Sequence, residues 1–383
     1  IFGSPNNESW RVAFEASQLI YSGGAVAAAV RIANFERASA LYQLRDTVDQ
    51  VIQQVRTQFY RVIVFRSLIT VQDEALQLLL ESLQDQKDRF EAGTVPKFNV
   101  LRAEVEVANQ RPLVIRAEND YRIALLELSR TLGVDYEKYR GDENRFEVVG
   151  KLEYGAIPLE LAEAVAMGIE RRAFLKVQRQ RIMVEKQQIN VAVAGFKPRL
   201  NLVGGYEYRS DSFSQNLDDV IEGWFFGVRG QWNIFDGLET AGKLKQARAR
   251  LEQALINYDD SERRVQVEIQ SAYSRLIEAL ELIDSQKKNI EQAEEALRLA
   301  QERFDVGAGT QLDLLDARVS LTRARVTELE ARFDFNAALA EFERVTAIDT
   351  DYDDTFDDPL VGRRARWIDK MEERISEELG ARE

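Results

Sequence analysis

The sequence predicts a mainly α-helical protein with a small β part, in which long helices pair as antiparallel coiled coils. Three observations lead to this prediction. Residues 25–91 and 243–306 contain neither glycine nor proline, hydrophobic residues recur at every seventh position, and an internal repeat relates the two stretches. A seven-residue hydrophobic period that is sustained over many turns is typical of left-handed coiled coils.

The composition excludes several classes of function. The chain has 383 residues, a formal net charge of −14, and neither histidine nor cysteine. Zinc fingers, thiolate metal sites, disulfides and histidine-based catalytic triads are therefore excluded. The negative charge argues against nucleic acid as a partner, because phosphate binding needs clustered lysine and arginine. The sequence brings no nucleophile and base together, so we expect no enzyme activity, no cofactor and no metal site.

One internal repeat with an offset of 214 residues organises the chain. It aligns Trp10 with Trp224, and the Arg-Phe pair at 89–90 with the same pair at 303–304. We predict a first copy at 1–135, an equatorial linker at 136–157, a second copy at 158–349 and an acidic equatorial segment or tail at 350–383. The second copy opens with a helix and a strand that have no counterpart in the first. We therefore expect the first copy to be incomplete and the natural protein to extend some tens of residues before Ile1.

Each copy contains a helix of unusual length. At about 1.5 Å per residue, the two glycine- and proline-free stretches predict rods of roughly 95–100 Å. Such rods need a partner along a seam, since helix propensity alone does not hold a long helix together. The predicted seam residues are spaced by seven in both copies: Val62, Ile69, Leu76, Leu83 and Phe90, then Leu276, Ile283, Ile290, Leu297 and Phe304.

Each rod is predicted to end at a tight turn and to be followed by a returning helix. Gly93 and Gly307 stand at the two turns, where glycine ends a helix in a left-handed conformation. The returning helices carry further hydrophobic residues at a spacing of seven, namely Leu312, Val319, Val326 and Phe333 in the second copy and Phe98 and Val105 in the first. Pro112 follows on the first of these rows, and we expect it to kink or locally open its helix.

Three segments alternate between apolar and polar residues as strands do. They are Trp10 to Tyr21, the residues near Leu200 to Arg209, and Trp224 to Phe235. Strands of about ten residues with one apolar face and aromatic residues near their ends are typical of an outer-membrane barrel. A half-buried soluble hairpin alternates in the same way, so the strands alone leave both interpretations open. The adjoining rods favour the membrane interpretation, because a small soluble sheet has no evident use for them.

The chain resembles the TolC-type outer-membrane efflux family over residues 10–349. Motifs at the strand-to-helix junctions, at both turns and after the second turn carry the resemblance. They are Tyr21-Ser22-Gly23-Gly24, Phe235-Asp236-Gly237, Arg89-Phe90-Glu91-Ala92-Gly93-Thr94, Arg303-Phe304-Asp305-Val306-Gly307 and Thr310-Gln311-Leu312-Asp313-Leu314-Leu315-Asp316-Ala317. Most of these motifs occur in both copies of the repeat and in the same order, which makes the resemblance specific.

The resemblance implies a homotrimer in the outer membrane of a Gram-negative-type bacterium, extending into the periplasm. The long coiled-coil helices would form a trimeric α-barrel, and the strands would contribute to a shared transmembrane β-barrel in contact with outer-membrane lipid. Such a protein is the passive duct of a tripartite efflux or type I secretion system, with a periplasmic adaptor and an inner-membrane pump as partners. The alternative is a soluble structural coiled-coil protein whose strands form a clamp.

The resemblance also implies roles for individual residues. Asp313 and Asp316 match carboxylates that line the constricted entrance, although helix capping also explains an early aspartate. The adaptor-contact tips would be Gly93, Thr94, Val95, Gly307 and Ala308. The membrane-facing strand residues would be Trp10, Val12, Phe14, Leu200, Leu202, Tyr206, Trp224, Phe226 and Trp232. Asn99 and Gly309 depart from residues found in some members, and Phe304 is expected to pack in the seam.

Overall fold

The computed structural model describes residues 10–134, 148–210 and 221–348. In chain order, these ranges contain β1 (Trp10–Tyr21), α1 (Ala25–Glu91), α2 (Lys97–Leu132), α3 (Leu161–Arg171), α4 (Ala173–Ala194), β2 (Arg199–Ser210), β3 (Ile221–Gln231), α5 (Glu239–Asp305) and α6 (Gln311–Thr346). Residues up to Thr346 form one compact unit and 347–383 form a second, almost all of which lies outside the described ranges. The predicted acidic tail and residues 136–147 of the predicted linker also lie outside them.

The four long helices form two hairpins of equal dimensions. The outgoing helices α1 and α5 have 67 residues each, and the returning helices α2 and α6 have 36 each. Each outgoing rod is thus about 100 Å long. Both ends of α1 and of α2 recur 214 residues later in α5 and α6. We call α1–α2 the first hairpin and α5–α6 the second hairpin.

The predicted seam of the outgoing helices is largely correct. Val62, Leu276 and Ile283 are buried, and the seam residues nearer the turns are half-buried, except for Phe90, which is exposed. Burial is greatest where α3, α4 and the segment 148–157 add further layers. There Leu175 of α4 packs against the second hairpin, and Val148 and Leu152 pack against the first.

The predicted seam of the returning helices is only partly correct: Val326 and Phe333 are half-buried, and Phe333 packs on the buried cluster around Val62, but the residues nearer the turns are exposed. Leu312 and Val319 are 43% and 48% exposed, and Phe98 and Val105 are also exposed. A different row of α6, also spaced by seven, is buried: Leu314, Leu321, Glu328, Phe335 and Phe342. The physical reason is that α6 contacts both α5 and α1, so two of its faces carry hydrophobic residues. A period of seven determines the spacing of a row and does not reveal which of two such rows meets the hairpin partner.

The local opening of α2 at Pro112, one of two outcomes expected from the sequence, does not occur, and the other outcome, a kink, stays a prediction. The helix is continuous from Lys97 to Leu132 with Pro112 inside it. Close by, the side-chain amide of Gln110 donates hydrogen bonds to the backbone and side-chain oxygens of Gln72 on α1, at 3.0 and 2.8 Å. These bonds tie α2 to its partner next to the position where proline removes a backbone donor.

The three described strands form one antiparallel sheet in the order β1-β2-β3. The register aligns Phe14, Tyr206 and Trp224 in one row across the sheet. Since side chains alternate between the faces of a strand, this row and the even-numbered residues around it share one face. None of the helices in the described ranges is long and apolar enough to cross a membrane.

Candidate functional site: two helical tips and a two-faced sheet

The first tip joins α1 to α2 and is closed by Thr94. Gly93 has φ +74°, a conformation that favours glycine. The carbonyl oxygen of Arg89 then accepts two hydrogen bonds from one residue, the backbone N–H of Thr94 at 2.9 Å and its hydroxyl at 2.8 Å. The end of α1 is therefore capped from within the turn, as helix ends generally require.

The second tip joins α5 to α6 and is closed by backbone groups instead. Gly307 has φ +76°, and the carbonyl oxygen of Arg303 accepts hydrogen bonds from the N–H groups of Ala308 and Gly309, both at 2.8 Å. A Cβ on Gly309 would lie 3.1 Å from the Cβ of Arg303 and from the backbone nitrogen of Phe304. The turn thus leaves little room for a side chain at the position where some family members carry a basic residue.

Asp313 starts α6 through a reciprocal cap with Thr310. Its carboxylate accepts the backbone N–H of Thr310 at 2.9 Å and the hydroxyl at 2.8 Å, while its own N–H donates to that hydroxyl at 3.2 Å. This is a capping box with aspartate in the third position. The hydrogen bonds from Thr310 lower the pKa of the Asp313 carboxyl below its ordinary value of 3.8. The capping alternative raised by the sequence therefore holds for Asp313.

The predicted tip residues lie where the sequence placed them, at the ends of the two hairpins. Asp316 follows Asp313 by one turn, and both carboxylates are exposed to solvent in the single chain. Gly93, Thr94, Gly307 and Ala308 are also exposed, whereas Val95 is half-buried. The entrance role of the two aspartates and the adaptor contact of the turns remain predictions.

A contact between the two tips was not predicted. The guanidinium carbon of Arg89 lies 5.1 Å from the ring centroid of Phe304, which is a cation–π contact between α1 and α5. Arg89 also pairs with Asp85 on its own helix at 3.0 Å. Phe304 is half-buried, so it packs as expected, although partly under a residue of the other hairpin. The Arg-Phe motif was visible twice in the sequence, but its spacing could not show that the pairing crosses between the copies.

One face of the sheet is covered by exposed aromatic side chains. Phe14, Trp224 and Phe226 are 76%, 73% and 80% exposed in the single chain. Tyr206 lies edge-on to Trp224, with 5.0 Å between the ring centroids, and Trp224 stacks with Phe226 at 6.4 Å. We call this set the aromatic face. Val12 and Leu202 are exposed on the same face, and Leu200 is half-buried there.

Two predicted membrane-facing residues differ from the rest. The strand β3 ends at Gln231, so Trp232 lies just after it, where its indole N–H donates to the carbonyl oxygen of Phe196 at 3.0 Å. The sequence had extended this strand to Phe235, and that extension is wrong. Trp10 is the first residue of β1, opposite Ser210, and its side chain lies outside the described part of the chain.

The opposite face of the sheet is charged. Arg11 pairs with Glu207 at 2.6 Å, and Arg229 pairs with Glu15 at 3.2 Å, so each pair bridges different strands. This face also carries apolar residues, among them Val203 and Phe225, and the ring of Phe225 covers Gly205. A Cβ on Gly205 would collide with the carbonyl oxygen of Phe14, which explains why glycine is needed there. The sheet is therefore mainly apolar and aromatic on one side and carries ion pairs between strands on the other.

A family model described as outer membrane efflux protein matches residues 2–134 and 166–347. The chain belongs to this family. Relatives of this efflux family member include OprJ of Pseudomonas aeruginosa, 27% identical over 46% of this chain and 37% of OprJ, and TolC of Vibrio cholerae, 24% identical over 66% of this chain and 57% of TolC. The chain thus spans less than two thirds of the length of these curated relatives.

The fold of this efflux family member is that of solved outer-membrane channels. The CmeC outer membrane channel of Campylobacter jejuni superposes with a TM-score of 0.73 at 15% identity, covering 88% of this chain and 77% of CmeC. The predicted fold class, mainly α with a small β part, is confirmed. Membership also assigns the chain to the outer membrane of a Gram-negative-type bacterium. The family is one of passive channels and is not known for enzymatic activity.

Proposed function

We propose that three copies of this chain form the passive outer-membrane duct of a tripartite efflux or type I secretion system. The observation that carries the proposal is the junction of a two-faced sheet with two rods of about 100 Å. A subunit of this shape fits one end into a membrane and extends far from it. The duct would export its cargo without catalysis of its own.

The two faces of the sheet suit a barrel wall between lipid and water. Its strands have 11 or 12 residues, which is enough to cross a bilayer when they are tilted. The aromatic face suits outer-membrane lipid, because a lipid-facing band is apolar with aromatic girdles. The face with Arg11–Glu207 and Arg229–Glu15 suits a water-filled lumen, where charged pairs remain solvated.

A soluble strand clamp is less consistent with these exposures. Such a clamp would leave Phe14, Trp224 and Phe226 in water, each more than two thirds exposed. Contiguous apolar surface of this kind marks a membrane or partner contact. We therefore retain the membrane duct as the proposed function.

The helical tips are the proposed periplasmic entrance. In a threefold assembly, Asp313 and Asp316 would each form a ring of three carboxylates, and such rings attract cations and repel anions in a narrow pore. The cap with Thr310 supports this role for Asp313, because it holds the carboxylate at a defined place and keeps it ionised at neutral pH.

The two turns are the proposed contact for a periplasmic adaptor that joins the duct to an inner-membrane pump. Their exposed residues are Gly93, Thr94, Gly307 and Ala308, and the half-buried Val95 adds an apolar contact. Their capping bonds support this proposal, since a rigid turn loses little conformational entropy when a partner binds. We expect cargo selection to lie in the pump.

The duct is tested with the full-length protein. We expect it to need detergent for extraction from membranes, to form a trimer in native mass spectrometry, and to conduct ions in planar bilayers. A monomer in the soluble fraction would contradict the proposal. For the entrance, the double variant Asp313→Ala with Asp316→Ala should lose cation preference, and Asp305→Ala on α5 before the second turn is the matched control. An unchanged ion preference in the double variant would remove the proposed role of both aspartates.

A further inference from the structure

An apolar cleft is formed where α1, α2 and α6 come together, about halfway between the buried clusters and the tips. Its volume is about 360 Å³, and hydrophobic side chains make up most of its walls. Leu78 of α1, Leu113 of α2 and Val319 of α6 line it and are 42%, 41% and 48% exposed. Pockets of roughly 300–1,000 Å³ hold small molecules in proteins, so the cleft is large enough for one. We call it the three-helix cleft.

Arg318 of α6 places a half-buried cation in the wall of this cleft. Its guanidinium donates to the Leu78 carbonyl at 3.3 Å and to the side-chain oxygen of Gln301 at 3.4 Å, and both bonds are long. Among the described residues, no carboxylate, including that of Glu106 in the same cleft, lies within ion-pair distance of it. Burial lowers the pKa of the guanidinium, and the nearby charge of Glu81 only partly opposes this. The positive charge of Arg318 is therefore incompletely compensated.

The other arginines of the cleft are in a different situation. Arg325 lies two helical turns after Arg318 and pairs with Glu74 of α1 and Glu294 of α5, at 3.2 Å each. Arg323 is exposed, so water solvates its charge. A partly buried charge without a counter-charge is costly, because it loses hydration and gains no ion pair in return. Arg318 is thus the cation in the cleft that gains most from an added anion.

We propose that the three-helix cleft binds a small amphipathic carboxylate, whose negative end pairs with the guanidinium of Arg318. The apolar chain of the ligand lies between Leu78, Leu113 and Val319 and removes their side chains from water. A guanidinium suits this ligand, because its planar N–H groups donate two parallel hydrogen bonds to a carboxylate. An amphipathic cation would instead be repelled by Arg318. The cleft lies within one chain, so this binding goes beyond the proposed export function and does not depend on it.

A carboxylate in the cleft would also stabilise the contact between the two hairpins. The cleft is built from α1 and α2 of the first hairpin and from α6 of the second, so one ligand touches both hairpins. A ligand that binds only the folded state raises the melting temperature as its concentration rises. Thermal denaturation therefore detects binding independently of any chemical label.

Photoaffinity labelling of the full-length protein in lipid nanodiscs tests the site. The probe is decanoate with a terminal diazirine, and mass spectrometry locates the labelled peptides. Labelling should saturate at residues 71–79 of α1 and 106–113 of α2, and unlabelled decanoate should displace the probe. Decyltrimethylammonium and decanol have the same chain length with a positive charge and no charge. Each should compete about tenfold less well or worse, since neither forms a charge-assisted hydrogen bond with the guanidinium.

Variants of Arg318 separate its charge from its structural contacts. Arg318→Gln should weaken decanoate binding by about tenfold or more, whereas Arg318→Lys keeps the charge and should retain most of the binding. Arg298→Gln is the matched control, because it removes an arginine outside the cleft that already pairs with Glu295 and Glu302. Ala75→Trp places a bulky side chain in the cleft and should abolish labelling while Arg318 stays in place. Melts without ligand check that each variant is folded.

The outcomes separate binding of a carboxylate from the other possible occupants of the cleft. Loss of binding in Arg318→Gln, with binding retained in Arg318→Lys and Arg298→Gln, supports the proposed site. Equal binding by the unmodified protein and Arg318→Gln, or equal competition by all three decyl compounds, would show an unselective apolar surface and overturn it. Labelling that does not saturate in the cleft, as expected where a protein partner covers it, would overturn it as well. Decanoate should raise the melting temperature of the unmodified protein more than that of Arg318→Gln, and equal shifts would contradict the ion pair.

Discussion

The first and second tips have a similar backbone conformation and differ in the groups that form the capping hydrogen bonds of the turn. At the first tip, the hydroxyl and N–H of Thr94 both bind the Arg89 carbonyl, whereas at the second tip the N–H groups of Ala308 and Gly309 bind the Arg303 carbonyl. The second tip alone has the Thr310–Asp313 cap, since Pro96 stands at the equivalent position in the first. The difference shows that, in one turn geometry, the carbonyl oxygen near the end of the helix can accept its second hydrogen bond from a side-chain or from a backbone donor.

The two hairpins also differ away from the tips, in how deeply their equivalent residues are buried. Ile283 of the second hairpin is fully buried in a cluster that includes residues of α3, α4 and α6, whereas its counterpart Ile69 is half-buried. The two hairpins therefore share a heptad pattern but differ in what covers it. Variants at positions 214 residues apart measure how similar the two hairpins are in stability.

The largest effect is expected in the seam. Ile283→Ala should lower the free energy of unfolding by about 2–5 kcal/mol, because it removes buried methyl groups and leaves a cavity. Ile69→Ala, as the matched control, should cost clearly less. Denaturant unfolding of the full-length protein in detergent, followed by circular dichroism, provides the measurement. Equal losses at the two positions would show that the seams are covered to the same extent in the assembled protein.

The next effect is expected at the turn glycines. Gly93→Ala and Gly307→Ala should each cost about 1–2 kcal/mol, since both residues have positive φ and an L-residue is strained there. A Cβ meets nothing within 4 Å at either site, so the cost should be purely conformational and nearly equal. The same unfolding experiment measures both variants. Unequal costs would mean that the two turns do not have the same backbone conformation.

A smaller effect should separate the two tip arginines. Arg89→Gln should cost about 0.5–1 kcal/mol, because it removes the cation–π contact with Phe304 together with the ion pair to Asp85. Arg303→Gln is the control at the equivalent position, and Phe90, the counterpart of Phe304, is exposed. Thermal melts of both variants test the difference. If the two substitutions were equally destabilising, the contact between the tips would not distinguish them.

The smallest effect is expected at the start of α6. Asp313→Ala should speed amide hydrogen exchange in the first turn of α6, whereas Asn99→Ala should leave the start of α2 unchanged. The lowered pKa of Asp313 means that its contribution is present above the ordinary value of 3.8 and is lost as the pH falls through the folded-state pKa. Exchange in the native protein should therefore rise only in strong acid. A rise near neutral pH would contradict this assignment.

Local sequence features predicted much of the architecture. The limits of α1 follow from the absence of glycine and proline between residues 25 and 91, and the turns follow from Gly93 and Gly307. Two other expectations, the local opening of α2 at Pro112 and the extension of β3 to Phe235, failed because contacts with neighbouring segments determine the local structure. Pro112 stays within a continuous helix beside the Gln110–Gln72 bonds, and β3 ends before Trp232, whose indole binds the Phe196 carbonyl.

By itself, the sequence determined that two rods of equal length return on themselves and adjoin alternating strands. Periodicity and turn residues act over a few neighbouring positions, so they can be read along the chain. Only the tertiary structure decided which heptad row of α6 is buried and that Arg89 covers Phe304. These features depend on which helices meet, because α6 lies between α5 and α1 and presents an apolar row to each.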